Sequence, residues 1–256
     1  ADADVDGPLQ LNELVKRRAL SEGEQNPRIT KKDVERALNT DESLLFPAPS
    51  LINDFEEAVP RAQDFRLMGA ISEAKAPIII HASGGVGKTV FATRIAAELP
   101  EGSQSVLYDC YGNGLHRNQS NYRHRHRDAL VQIANEFASR GFCHPLIPTS
   151  RAAPSDYMRA FVHRINQAAK LVRLATPSAL LSIVVDAADN AQMAAEEIGE
   201  TRSFVRDLIR EKMPDNVRLV FLCRTHRQAY LDPPVEAIRL ELSPFSREET
   251  ATFLRQ

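Results

Sequence analysis

Ile78-Ile79-Ile80-His81-Ala82-Ser83-Gly84-Gly85-Val86-Gly87-Lys88-Thr89 decides the fold. An apolar, β-branched run is followed by a glycine-rich turn, and Lys-Thr then opens a helical pattern. That order is the strand, loop and helix of a phosphate-binding P-loop. Gly84, Gly85 and Gly87 let the backbone turn several N–H groups toward one centre. Lys88 supplies a mobile cation for terminal phosphates, and the Thr89 hydroxyl can ligate magnesium. The helix starting there aims its positive dipole end at the same anion. The binding segment is therefore Ala82, Ser83, Gly84, Gly85, Val86, Gly87, Lys88, Thr89 and Val90. Ala82 stands where the usual pattern has its first glycine, a mild departure.

Working outward, Leu180-Leu181-Ser182-Ile183-Val184-Val185-Asp186-Ala187-Ala188-Asp189 is a second apolar run closed by carboxylates. It looks like a Walker B strand lying beside the P-loop strand. Asp186 would hold magnesium, directly or through water, and Asp189 could orient or activate an attacking water, with Asn190 as a polar neighbour. Plain strand-end capping is the alternative for Asp186. A third run, Val217–Cys223, ends in Arg224-Thr225-His226-Arg227. A guanidinium at that end can report a γ-phosphate, or simply pair with a local carboxylate. Asp109, closing the strand Ser105–Asp109, reads as a turn-capping carboxylate ahead of a nucleotide contact.

The remaining pattern is helical. Arg61 to Ala74 predicts a helix with Phe65, Met68 and Ile71 inward, and Thr89 to Leu99 one with Val90, Phe91, Ile95, Ala96 and Leu99 toward the sheet. Leu130–Ala138 predicts a helix ended by Gly141, Ser155 starts a long one, and Thr201 to Met213 predicts another. Ile238–Leu242 is a fifth strand, and a capping box joins Ser246 to Glu249. Residues 1–60 read as a helical connector: a short helix around Leu9–Val15, a polar break from Ser21 to Arg28, and a Thr30-capped helix through Asn39. A rigid Phe46-Pro47-Ala48-Pro49 joint follows, then a further turn carrying Leu51, Phe55, Ala58 and Val59. These helices could equally pack on the core. The core proper is 61–256.

His116 to Arg127 is the oddest composition in the chain. It reads as a solvated loop running into a helix, or as a phosphate-sensing or subunit-contact loop. Cys110, His116, His124 and His126 match no known zinc spacing.

The chain has 256 residues and a net charge of -2, so no global field favours nucleic acid or a membrane surface. Its three cysteines are too few and too scattered for a disulfide framework, which points to a reducing cytoplasm. No apolar run approaches membrane-spanning length. The acidic start does not read as a signal peptide, and the first residue, Ala1, with both ends abrupt suggests a segment of a longer protein.

Ala82–Thr89, Val184–Asp189, Phe221–Thr225 and Leu240–Glu249 together resemble the signal-transduction ATPases with numerous domains, of NACHT and apoptotic or plant-resistance type. The resemblance covers about 61–256. It implies an α/β P-loop NTPase with a parallel five-stranded sheet flanked by helices, here preceded by the small helical segment and cut within its helical lid. It places the P-loop strand between the last strand and the sensor strand, with Walker B next outward. It further implies an ATP- and Mg2+-binding, slowly hydrolysing switch that cycles between ATP and ADP and self-associates on sensing a trigger ligand. Many bacterial members act in antiviral defence. Catalytic roles would fall to Lys88, Asp189 and Arg224, and magnesium ligation to Thr89 and Asp186. Asp189, where glutamate is frequent, makes binding a safer expectation than fast hydrolysis. Two other readings stay open: a P-loop kinase with its acceptor pocket in the 112–127 loop, and a nucleic-acid-binding module using Arg117 to Arg127, which low charge and low aromatic content disfavour.

Overall fold

The computed structural model describes residues 6–20, 28–53, 61–118 and 121–254. Residues 21–27 of the polar break, Phe55, Ala58 and Val59 of the further turn, and the connector boundary at 60 lie outside them. Five strands form one parallel sheet: β1 (Ile78–Ala82), β2 (Gln104–Asp109), β3 (Leu181–Asp186), β4 (Val217–Arg224) and β5 (Ile238–Glu241). Their order is β2-β3-β4-β1-β5. The P-loop strand thus lies between the last strand and the sensor strand, as the resemblance implied. One expectation is corrected: β3 does not lie beside β1, because β4 pairs with both and separates them.

The helices α1 (Asp6–Leu20), α2 (Lys31–Ala37) and α3 (Glu42–Leu45) precede the sheet. They are followed by α4 (Ala62–Glu73), α5 (Lys88–Glu98), α6 (His126–Ser139), α7 (Pro154–Ala175), α8 (Ala188–Glu197), α9 (Phe204–Leu208) and α10 (Arg247–Phe253). Alternation along the strands divides the core. Ile78, Ile80, Val184, Val220 and Leu222 pack with Leu67, Ile71, Phe91 and Ile95 of α4 and α5. Ile79, Ile183, Val185, Leu219 and Phe221 pack with Leu130, Phe137, Phe161, Ile165 and Phe204 on the opposite face. Each fully buried side chain of this size contributes about 1.5–3 kcal/mol. Strands covered on both faces read as continuous apolar runs, as β1, β3 and β4 do, whereas the edge strand β5 alternates apolar Ile238 and Leu240 with exposed Arg239 and Glu241.

Local signals hold at several ends. Thr30 caps α2 and Ser246 caps α10, each in a reciprocal capping box with a carboxylate three residues on. Three expectations need revision. Phe65 is 90% exposed rather than inward, and Leu67 is buried in its place; Ala96 is likewise exposed. The helix expected over 201–213 is only Phe204–Leu208. After it the chain tightens into three-residue turns, Arg210 N–H to Asp207 O and Glu211 N–H to Leu208 O.

Of the 116–127 stretch, Arg117, Asn118 and Arg127 are exposed, but residues 121–126 are packed into the fold. Arg123, His124 and His126 are buried. His124 Nε2 lies 2.9 Å from Glu200 Oε2, and Arg125 Nη2 2.6 Å from Glu200 Oε1. His126 Nε2 lies 2.8 Å from Asp207 Oδ2. The Arg123 guanidinium donates to the carbonyls of Asp109 (2.7 Å) and Pro49 (2.6 Å), tying the Pro-rich joint to the end of β2. Ala48 N–H donates to Gln132 Oε1 at 3.0 Å and Asn135 Nδ2 to Leu45 O at 2.8 Å, so residues 45–49 are fastened to α6. Among the described residues, no three His, Cys, Asp or Glu side chains gather to hold a metal.

Candidate functional site

β1 ends at Ala82, whose Cα partner across the ladder is Arg224. The turn that follows needs left-handed backbone at Gly85 (φ 76°) and Gly87 (φ 94°), which explains glycine at both. Gly87 is the N-cap of α5, so the first orphan N–H groups of that helix face the turn. Lys88 Nζ donates to the carbonyls of Ala82 (3.1 Å) and Ser83 (2.8 Å), lying back along the loop. Burial pushes the Lys88 ammonium below the usual lysine range, against the pull of Asp186 and Asp189; Arg224 adds to the lowering. Val90, the last residue of the expected segment, follows on α5.

Although β3 is one strand removed from β1, Thr89 Oγ1 donates to Asp186 Oδ2 at 2.7 Å. Asp186 is buried, and burial raises its carboxyl to about 6, partly offset by the Thr89 hydroxyl. A hydroxyl and a carboxylate oxygen held together suit a hard divalent cation. Magnesium commonly takes one or two protein oxygens and completes its shell with water and phosphate. The residues present fit that ion.

The turn after Asp186 passes through Ala187 in left-handed conformation (φ 53°, ψ 39°) before α8 begins. Asp189, in the first turn of α8, is buried, and its Oδ2 accepts from Arg227 Nη1 at 3.4 Å. Asn190 N–H donates to Ala187 O, closing the same turn. Arg224 itself is exposed at the end of β4. His81 Nδ1 lies 3.3 Å from Thr225 Oγ1, a link between the P-loop strand and the segment that follows β4. Lys88, Thr89, Asp186, Asp189 and Arg224 therefore gather at the carboxyl ends of β1, β3 and β4. Asp109 does not join them: its Oδ1 accepts from the N–H groups of Tyr111 and Gly112, both at 2.9 Å, as a turn cap.

The chain belongs to the NACHT family.

The NACHT domain model matches residues 76–256, which take in all five strands and the whole cluster. NACHT domains are P-loop NTPases that bind nucleotide. Among solved structures, the chain is similar to one in "Structure of Drosophila ORC bound to DNA". The two are 15% identical with a TM-score of 0.42, over 74% of this chain and 44% of that one. No curated protein matches the sequence. Among the described residues no helix is long and apolar enough to cross a membrane.

Two contributors escaped the sequence reading. Arg227 sits in the quoted Arg-Thr-His-Arg run, but only its first member was assigned. Arg61 lies just before α4, and its Nη1 donates to Val86 O in the loop at 3.0 Å. Nothing in its local pattern marks it, since both of its carbonyl partners are distant in sequence. Two grooves of about 740 and 790 Å3 meet at His126, Pro154 and Asp207, and neither is lined by residues 82–89. Of their acidic groups, Glu200 and Asp207 are already bonded to Arg125, Arg202 and His126, and Glu211 lines the first groove only.

Proposed function

We propose that this NACHT domain is an ATP-binding, slowly hydrolysing switch within a larger cytoplasmic signalling or defence protein. Residues 82–90 would wrap the phosphates of ATP or ADP, with backbone N–H groups of the glycine turn and the start of α5 as donors. Lys88 would exchange its loop carbonyls for terminal phosphate oxygens. Mg2+ held by Thr89 and Asp186 would neutralise phosphate charge. Asp189 would orient water, and Arg224 would respond to the γ-phosphate. The 2.7 Å bond from Thr89 to Asp186 across an intervening strand carries the reading. A glycine turn without chemistry does not require that pair. Because Asp189 is engaged by Arg227, hydrolysis is expected to be slow. Self-association through this domain, released by a trigger ligand, is part of the same proposal.

Titration of ATP, ADP and GTP, each with and without Mg2+, tests it. Magnesium-dependent binding that is lost in Lys88→Ala is expected. Equal affinity in both proteins sinks the assignment. The kinase and nucleic-acid readings drew on residues 112–127. There Arg123, His124 and His126 are buried and Arg117 and Arg125 are ion-paired, so that stretch offers them little support.

A further inference from the structure

The Arg61 side chain joins two parts of the chain that the nucleotide reading leaves unconnected. The residue is 8% exposed. Its Nη1 donates to Val86 O at 3.0 Å, its Nη2 donates to Ser243 O, and its Nε has no hydrogen-bond partner among the described residues. The guanidinium lies 4.7 Å from the ring centre of Phe245. Around it, Gln63 brackets Ser243, accepting from its N–H and donating to its carbonyl, both at 2.9 Å. Glu249 Oε1 accepts from Ala62 N–H at 2.9 Å. The start of α4 therefore grips the segment 243–249, which leads from β5 into α10.

The bond to Val86 matters because of peptide geometry. In a trans peptide the carbonyl of one residue and the N–H of the next point in opposite directions. Drawing Val86 C=O toward Arg61 turns Gly87 N–H the other way. Gly87 is the N-cap of α5 and has φ 94°, so it has little intrinsic preference to hold that plane. An external bond must fix it. A guanidinium suits the task, because its planar fork reaches two carbonyls at once and a lysine reaches them only as a point charge.

We propose that Arg61 is a positioning residue for the phosphate loop and that, through Ser243, it couples the loop to the segment 243–249. A change in the Val86–Gly87 peptide on phosphate binding alters the bond to Arg61. The same guanidinium then changes its hold on Ser243 and Phe245. The coupling is reciprocal: fixing 243–249 tightens phosphate binding by the factor with which phosphate fixes 243–249. The coupling half rests on the nucleotide-binding reading above; the positioning half does not.

Hydrogen exchange by mass spectrometry, on the full chain and on Arg61→Lys and Gln63→Ala, separates the two. Without nucleotide, Arg61→Lys is expected to raise exchange in peptides covering both 84–88 and 243–249. Gln63→Ala should raise it in 243–249 alone. With Mg-ATP, the wild-type protein should gain or lose protection at 243–249, and Arg61→Lys should show no such response while its ATP affinity falls about tenfold. Gln63→Ala should keep its affinity within twofold. If wild type shows no ATP binding, the nucleotide reading fails and the nucleotide-free arm still decides the positioning role. Unchanged exchange at 84–88 in Arg61→Lys overturns the proposal. So does an equal loss of ATP affinity in Gln63→Ala, which would mark a general loosening.

Discussion

Thr89 Oγ1 bonds Asp186 Oδ2 at 2.7 Å although their strands are separated by β4. The contact is made because β3 ends and α5 begins at the carboxyl edge of the sheet, with Asp186 the last residue of the strand and Thr89 in the first turn of the helix. Asp186→Asn keeps the shape and removes the charge that would oppose Mg2+. In wild type, magnesium is expected to strengthen ATP binding by roughly tenfold or more, about 1.4 kcal/mol. In Asp186→Asn that gain should fall below about twofold, read by calorimetric titration with and without the ion.

Arg227 is the residue holding the buried Asp189 carboxylate. Arg227→Ala leaves that charge without its partner, a larger loss than removing both groups. Because Arg227 is partly exposed, a destabilisation of about 1–3 kcal/mol is expected in urea unfolding. Adding Asp189→Asn to Arg227→Ala should recover part of it. A double variant no more stable than Arg227→Ala would contradict this account.

Gly112 has φ 55°, and a Cβ built there would lie 2.3 Å from Arg123 Nε. Arg123 cannot yield easily, since it is pinned by Asp109 O and Pro49 O. Gly112→Ala combines a left-handed alanine with a clash against a buried guanidinium. The expected cost is on the order of 3 kcal/mol, seen as a lower urea midpoint.

His124 and His126 are held below the ordinary histidine value of 6.5, first by burial. Glu200 and Asp207 pull the other way, while Arg125 and Arg202 reinforce the lowering. A folded pKa below the unfolded one gives stability that is complete above about pH 6.5 and is lost as pH falls through the folded values. Asp128 runs oppositely. Burial raises it to about 6, so its contribution is present at low pH and is lost as pH rises through that value. Comparing Tm at pH 7 and pH 5 for wild type and for His124→Gln/His126→Gln isolates the histidines. Acid should lower Tm more in wild type than in the double variant.

How much of this was legible in the sequence follows from where the partners lie. The P-loop, both carboxylates and Arg224 stand at the ends of continuous apolar strands, and that local pattern placed them. The strand order came from the family resemblance rather than from periodicity. The histidine-rich stretch reads ambiguously, as a solvated or a contact loop, because the partners of His124 and His126, Glu200 and Asp207, are 76 and 81 residues away. Arg61 and Ser243 are 182 residues apart. Phe65 failed for another reason: helical spacing defines an apolar stripe but not which of its margins a neighbour covers. Leu67, Met68 and Ile71 face the sheet, and Phe65 falls beyond that edge.

Ala187 stands between Asp186 and Asp189 in a backbone conformation that suits glycine better. A left-handed alanine costs about 1–2 kcal/mol. Alanine also narrows the unfolded ensemble relative to glycine, returning about 0.4–1 kcal/mol. The first effect is the larger, so the alanine costs stability on balance, on the order of 1 kcal/mol. What it does remove is the wider range of turn shapes open to glycine. The corner joining the two carboxylates is thus stiff by composition, and a glycine there would make the chain more stable, by on the order of 1 kcal/mol, while letting the two acids drift in relative aim.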